Sequence, residues 1–394
     1  MTRLVHIIKA TGIAGAEQHL LTLLPALDRE RFEIRLIVLT EPRKPVADFF
    51  SALRAADVLV ERVIIRGDAD PTLAPRLALR LRALAPVLVH THLVHADFHG
   101  TLAARLAGVP LVISTRHNDD PYRRRWPLSS LLRIINRRTD HFVAISEHVR
   151  AFTIEAEHTP ESYIDTVNYG LAAGVVNRPV DVRAEFGIPV GPLLVCVARL
   201  TAQKGHRWLL PAFRAVVDEF PQATLLLLGD GPLRRQLEQM SVQLGLRESV
   251  RFAGWRTDVS ALLPGTDLFV LASEWEGFGL ALLEAMAAAL PIVATRVGAI
   301  PEVVLHAETG WLVAAKNATA FADKTISALR APEQMVAFGH RGRARLDREF
   351  SVKRMVAATE RLYVRMFAHL PDSSECDHPH RIIHSQKGVK RDAI

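Results

Sequence analysis

The 394-residue chain has only two cysteines, Cys196 and Cys376, far apart and in no CxxC pattern. That spacing excludes a disulfide framework and a zinc knuckle, and a reducing cytoplasm is the compartment that fits. No run approaches the roughly 18 apolar residues of a membrane span; the richest stretch, ALLEAMAAALPIVA, contains Glu284 and Pro291. The N-terminal MTRLVHIIKATG holds a single five-residue apolar run with His6 inside it, too short for a signal-peptide core and better read as a first strand. Lysine is scarce, eight of the 49 basic residues. There is no solenoid repeat and no GK[ST] of a P-loop, and the first loop, ATGIAGAE, fails G-x-G-x-x-G. An ATPase and a dinucleotide dehydrogenase are thereby disfavoured.

What is present is an ordinary globular composition, 49% apolar and 23% charged, in a chain longer than one hydrophobic core usually serves, so two domains are expected. The net charge of +7 favours anionic partners such as nucleotides or phospholipid headgroups. Nucleic acid is not expected, because no recognition module accompanies the charge.

Short apolar runs alternate with amphipathic ones. Strand-like runs at 4–8, 34–39, 87–90, 111–114 and 142–146 are separated by helix-like segments such as 16–27 and 96–108. After a Gly- and Pro-punctuated stretch at 168–192 the rhythm restarts, with strands at 193–198, 223–229, 250–254, 268–272 and 291–295. This pattern predicts an α/β chain of two doubly wound domains, 1–172 and 190–350, facing across a cleft at the carboxyl ends of their strands, where open sheets bind ligands. A last helix is expected near 351–368 and a disordered polar tail over 371–394.

The segment SEWEGFGLALLEAMA (273–287) places Glu276 just before a glycine-flanked turn and Glu284 eight residues later. Gly277 and Gly279 let the backbone approach a ligand, and the first-turn amides of the following helix form an anion site. Two carboxylates beside a phosphate are explained if they accept hydrogen bonds from sugar and ribose hydroxyls. The competing reading is that Glu276 caps the helix and Glu284 is solvated. VCVARLTAQKG adds Arg199 and Lys204 after a strand of the same domain, two cations able to neutralise a diphosphate, and LLLLGDGPL supplies a second loop suited to line a nucleotide pocket.

Taken in order, these segments resemble retaining glycosyltransferases of family 4, whose fold is GT-B. EGFGLALLE resembles that family's E-x7-E motif and ARLTAQKG its Arg-x4-Lys segment; LLGDGPL, FAGWRTDV, GAIPEVV and TGWLV resemble other family blocks. In the first half, GIAGAEQHLLTLLPAL, VHTHLVHADFHGTLAARLAGVP and STRHND resemble the glycine-rich loop, the middle blocks and the active-site histidine segment. The resemblance implies that Glu276 contacts the transferred sugar, that Glu284 holds the donor ribose, and that Arg199 and Lys204 bind the diphosphate with help from amides around Gly277, Phe278 and Gly279. It further implies that His117 faces the donor sugar across the cleft, that Gly15 allows close approach, and that the last helix crosses back to the first domain. Ala14, Ala272 and Ala289 depart from the family pattern, at positions where glycine, proline and glycine are common.

The expected activity is metal-independent transfer from a UDP- or GDP-sugar to a glycan or lipid-linked acceptor of the cell envelope, with no cofactor. A nucleotide-sugar epimerase and a non-catalytic scaffold are the alternatives. Asp68-Ala69-Asp70 reads as a turn rather than a metal site, and His90, His92, His95 and His99 as part of a family block rather than a ligand set, with Asp97 the one neighbouring carboxylate. PYRRRWPLSSLLRIINRRT (121–139) carries six arginines and no acid. Docking to the anionic inner face of the plasma membrane is its functional reading, and a helix with solvated arginines and its apolar face in the core the ordinary one.

Overall fold

The computed structural model describes residues 1–42, 46–67, 70–172 and 180–370. Asp68, Cys376 and the tail expected to be disordered lie outside the described residues, as does 173–179 within the Gly- and Pro-punctuated stretch.

Two parallel sheets account for the fold. The first contains β1 (Thr2–Lys9), β2 (Phe32–Thr40), β3 (Leu59–Ile64), β4 (Leu88–His92), β5 (Leu111–Arg116), β6 (His141–Ala144) and β7 (Ile164–Thr166), in the order β3-β2-β1-β4-β5-β6-β7. The second contains β8 (Leu193–Val197), β9 (Thr224–Leu228), β10 (Val250–Gly254), β11 (Leu268–Leu271), β12 (Ile292–Thr295) and β13 (Trp311–Val313), in the order β10-β9-β8-β11-β12-β13. β9 and β11 are buried along their whole length, as strands covered by helices on both faces must be, and this explains their unbroken apolar sequences. Strand order reverses between β1 and β4 and again between β8 and β11. Ligands of such sheets bind at those switch points, and the loops carrying Gly15, Arg199 and Glu276 all emerge there.

Sequence expectations of strand position hold to within about two residues, the usual fuzziness of element ends. β3, β7 and β13 were not anticipated: β3 is an edge strand whose sequence, LVERVI, mixes charge with apolar residues, and the other two have three residues each.

The two units meet closely. Leu171 N–H donates to Phe350 O at 2.9 Å, and the final helix, Val352–Phe367, packs Met355, Leu362 and Tyr363 into the core of the first unit beside Leu20, Leu24 and Phe32. Glu360 reinforces this by accepting from Asp28 N–H at 2.8 Å. Across the cleft, Phe278 packs edge-on against Tyr169 at 5.2 Å, and within its own unit against Phe350 at 5.7 Å.

Candidate functional site

One wall of the cleft is built by β11, a turn and the helix Leu280–Ala287. The helix sequence LALLEAMA consists of strong helix formers throughout. Gly279, at φ 89°, holds the left-handed conformation that starts it. Among the described residues, none of the N–H groups of residues 277–281 donates to a protein acceptor. These amides cluster at the positive end of a helix dipole, an arrangement suited to an anion. Gly298 seals the turn from behind: a β-carbon there would lie 2.1 Å from Glu276 O, and Ala299 N–H donates to the same carbonyl at 2.9 Å.

Glu276 is buried, and its Oε2 pairs with Lys204 Nζ at 2.5 Å and accepts from Ser273 Oγ at 3.3 Å. The sequence placed both residues in the site but gave no sign that they pair. Glu284 sits half-buried in the second turn of the helix with no side-chain hydrogen bond among the described residues, and burial pushes its carboxyl up to about 7. Arg199, just beyond the end of β8, is exposed and forms no ion pair among the described residues. The carbonyl of Ala272 abuts Gly205, so the loop bearing Lys204 is packed directly on the end of β11.

The first unit contributes the opposite wall. Gly15 begins the helix Gly15–Ala26, and a β-carbon on it would lie 3.9 Å from Leu280 Cδ1 across the cleft. Ala14, N-terminal to it, is extended at φ −129°, a conformation open to any residue, so this departure from glycine carries no backbone strain. His117 follows β5, and its carbonyl lies 3.0 Å from a β-carbon position on Gly277. Its ring, however, points into the first unit: Nδ1 bonds Tyr169 OH at 2.5 Å and Nε2 bonds His92 Nδ1 at 3.0 Å. Burial holds this imidazole well below its usual range, in the neutral form.

Three residues at the cleft escaped sequence reading. Glu17 is buried and accepts from Ala14 N–H at 3.1 Å; burial raises its carboxyl, and the charge of Arg199 partly offsets the rise. Ser146 Oγ donates to Gly277 O at 2.8 Å, and Glu302 accepts from Glu147 N–H at 2.9 Å and His148 N–H at 2.7 Å, the first turn of the helix Glu147–Glu157. These bonds join the units, one of them at the turn itself. They pair residues more than 130 positions apart, which nothing local in the sequence signals.

The remaining candidates fall elsewhere. Asp70 accepts from Thr72 Oγ, Thr72 N–H and Arg66 N–H and pairs with Arg76, so its oxygens are spent on a turn, and its carboxyl is pulled down to about 2, chiefly by the Thr72 hydroxyl. Asp97 is committed to Arg116 at 2.8 Å, Thr91 at 2.7 Å and Ser114 at 2.5 Å. Within 121–139, the helix Leu128–Asn136 buries Leu132 and Ile135 but exposes Leu131 and Ile134, with Trp126 81% exposed beside it. One of the six arginines is not solvated: Arg123 is buried against Glu157 at 2.5 Å, a carboxylate that also pairs with the buried Arg116 at 2.8 Å, so two buried cations share one buried anion.

With this geometry in place, comparison with known proteins is informative. The family model described as glycosyl transferases group 1 matches residues 191–331, and that described as Glycosyltransferase Family 4 matches residues 13–171. Among characterised proteins, the chain is 33% identical over 239 residues to the N-acetyl-alpha-D-glucosaminyl L-malate synthase of Bacillus anthracis, covering 60% of this chain and 62% of that protein. It is 28% identical to the sulfoquinovosyl transferase of Arabidopsis thaliana over 60% of this chain and 48% of that one. A GDP-mannose-dependent phosphatidylinositol monomannoside mannosyltransferase of Mycobacterium tuberculosis is 27% identical over 77% of this chain and 82% of its own length. The chain thus spans less than two thirds of the first two relatives. Among solved structures, the Anabaena HepE protein in complex with UDP-glucose superposes with a TM-score of 0.81 at 20% identity, covering 93% of this chain and all of that one; at such identity the likeness is one of fold. The two family models, meeting on either side of the cleft, and the two facing sheets settle the assignment: the chain has the GT-B fold and belongs to glycosyltransferase family 4.

Proposed function

We propose that this protein is a retaining, metal-independent glycosyltransferase that takes a hexose from a UDP- or GDP-sugar and delivers it to a glycan or lipid-linked acceptor of the cell envelope. The observation that carries the reading is the turn at 277–281, whose amides donate to no protein acceptor among the described residues: Glu276, paired with Lys204, precedes it, the unpartnered carboxylate of Glu284 follows it, and Arg199 stands at the end of β8, the strand beside β11. A sugar nucleotide matches that order of charges: diphosphate on the amides and cations, ribose hydroxyls on Glu284, and the transferred sugar toward Glu276. The relatives support the donor class, since one is named for GDP-mannose and the HepE crystal holds UDP-glucose.

In the proposed reaction the bond from the anomeric carbon to the diphosphate breaks while the acceptor oxygen bonds the same face. The acceptor's proton passes to the departing phosphate oxygen. Negative charge grows on the leaving group, where Lys204, Arg199 and the turn amides stabilise it, typically by a few kcal/mol per donor. These groups take the part that a divalent ion plays in metal-dependent transferases. The backbone carbonyl of His117, set against Gly277, faces the same region.

The exposed Trp126, Leu131 and Ile134, among Arg125, Arg133, Arg137 and Arg138, form a mixed apolar and cationic face suited to the headgroup layer of an anionic membrane. This face supports peripheral attachment at the inner side of the plasma membrane. Sedimentation with phosphatidylglycerol vesicles checks it; binding unchanged by Trp126→Ser with Ile134→Ser would rule the face out.

The decisive experiment is a thermal-shift screen against a panel of sugar nucleotides with and without EDTA, followed by product analysis. Stabilisation by one donor that survives EDTA, and release of free nucleotide with an α-to-α glycosylated product, is the expected result. An epimerised sugar nucleotide, or the absence of any shift, would sink the reading.

A further inference from the structure

The first unit encloses a row of histidines that the proposed reaction does not use. His90 and His92 lie two apart on β4 and therefore on one face of the sheet, and His6 of β1 is in register with His90 on the same face. Tyr363 of the final helix covers that face. Together with His117 they make a continuous series of hydrogen bonds. Tyr169 OH bonds His117 Nδ1; His117 Nε2 bonds His92 Nδ1; His92 Nε2 bonds His6 Nδ1 at 3.0 Å. His6 Nε2 then meets Tyr363 OH at 3.4 Å, Tyr363 OH bonds His90 Nδ1 at 2.8 Å, and His90 Nε2 bonds Thr115 Oγ at 2.7 Å. Every member is buried.

A neutral imidazole has one N–H and one bare nitrogen, and in each of these four rings both nitrogens are engaged. The direction of one bond therefore fixes the next. If Tyr169 donates to His117, every ring carries its proton on Nε2 and the last donates to Thr115; if Thr115 donates, every ring carries it on Nδ1. Tyr363 is the joint, accepting from one ring while donating to the other.

We propose that His6, His90, His92 and His117 form a single hydrogen-bonded chain that holds one shared tautomer, through which Tyr363 of the final helix positions the His117 segment against the donor turn. His6, His92 and Tyr363 are then positioning residues, acting on the reaction through His117. The proposal rests on the reading of His117 as part of the donor site. Burial keeps the rings uncharged, with His6 pushed down to about 3 and His90 and His92 well below their usual range, which agrees with a neutral chain. One nitrogen each from His6, His90 and His92 also lies within 4.8 Å of the others, a spacing compatible with a metal ion. An ion would take nitrogens the chain already uses, so the two arrangements exclude each other.

The test is long-range ¹H–¹⁵N NMR on full-length protein labelled at histidine, paired with kinetics. In the unaltered protein the four rings are expected in the same tautomer. Tyr363→Phe should change the tautomer populations of His92 and His117 and lower kcat about fivefold to tenfold, with the donor KM within about twofold, as expected for lost positioning rather than lost binding. Thr115→Val, separated from His117 by four members of the chain, should also shift the His117 tautomer, and it serves if the tyrosine variant fails to fold. Mixed tautomers in the unaltered protein, His117 signals unmoved by both variants, or one equivalent of metal by elemental analysis would each overturn the chain. Wild-type kcat in His117→Ala would overturn instead the placing of His117 in the site, while leaving the shared tautomer readable in the spectra.

Discussion

On the proposed reading, the carboxyl of Glu284 offers a direct handle on donor binding. Burial without a hydrogen-bond donor lifts it from 4.5 to about 7, a difference of about 3 kcal/mol between holding it charged in the protein and in water. The sign follows from linkage. Below about pH 4.5 the group is protonated in both folded and unfolded chains and costs nothing; as pH rises toward 7 the unfolded chain ionises first, the folded state loses relative stability, and above 7 the loss is complete. A ribose diol reverses part of it, because two hydroxyls donating to the ionised carboxylate replace the missing water. If only the carboxylate form accepts the diol, about one tenth of the empty protein is competent at pH 6 and about nine tenths at pH 8, so donor affinity should rise roughly tenfold across that interval. Calorimetric titration with the donor identified by the thermal-shift screen, at half-unit steps from pH 5.5 to 8.5, measures this, with Glu284→Gln as the control. Gln cannot titrate, so its affinity should be lower at pH 8 and nearly flat with pH. His148, raised by its bond to Asp119, is present in both proteins, so any slope it adds is subtracted. A flat profile in the unaltered protein, or the same slope in Glu284→Gln, would refute the assignment of the ribose to this carboxylate.

Other consequences can be checked on their own. Lys204→Ala removes the proposed diphosphate ligand and leaves Glu276 buried without its 2.5 Å partner; kcat/KM should fall about 10²- to 10³-fold, and unaltered steady-state kinetics would take Lys204 out of the site. Gly298→Ala brings a β-carbon to 2.1 Å from Glu276 O, so the turn must shift and donor binding should be lost; retained affinity in the same titration would show that the turn can yield. Ala289, where family members commonly carry glycine, has φ 53°. Ala289→Gly should therefore stabilise the fold by about 0.5–1 kcal/mol, the relief of left-handed strain less the added chain entropy of glycine, and an unchanged or lowered urea midpoint would contradict this.

Much of this molecule can be read from its sequence because its elements are locally self-consistent. LFVL, short and bounded by turn signals, reads as a strand covered on both sides, and the glycines and helix formers after it as a turn and a helix. Glu276, Glu284, Arg199 and Lys204 are therefore located by their own segments. What escapes is whatever depends on distant partners. Glu17 reads as a helix-start residue until Arg199 is seen to influence it across the cleft. Glu302 reads as an acid in a short helix until it caps the helix Glu147–Glu157 of the other unit. The histidine spacing in VHTHLVHADFH suggests pairing along a helix at His95 and His99, whose rings do lie 4.7 Å apart. The longer assembly instead uses strand alternation at His90 and His92 and recruits His6, 84 and 86 positions away, which no local periodicity encodes.

The bonds from Ser146 to Gly277 and from the amides of Glu147 and His148 to Glu302 bear on how turnover is paced. They lie beside the turn proposed to grip the diphosphate, so the proposed nucleotide site and this seam between the units adjoin. Parting the units would expose the serine hydroxyl, a carbonyl and a carboxylate to water, and each gains solvent in place of its lost partner. The fastening is then cheap to undo in bulk water, so in the proposed reaction the opening of this seam is a step separate from bond exchange at the sugar, of the kind that paces many enzymes.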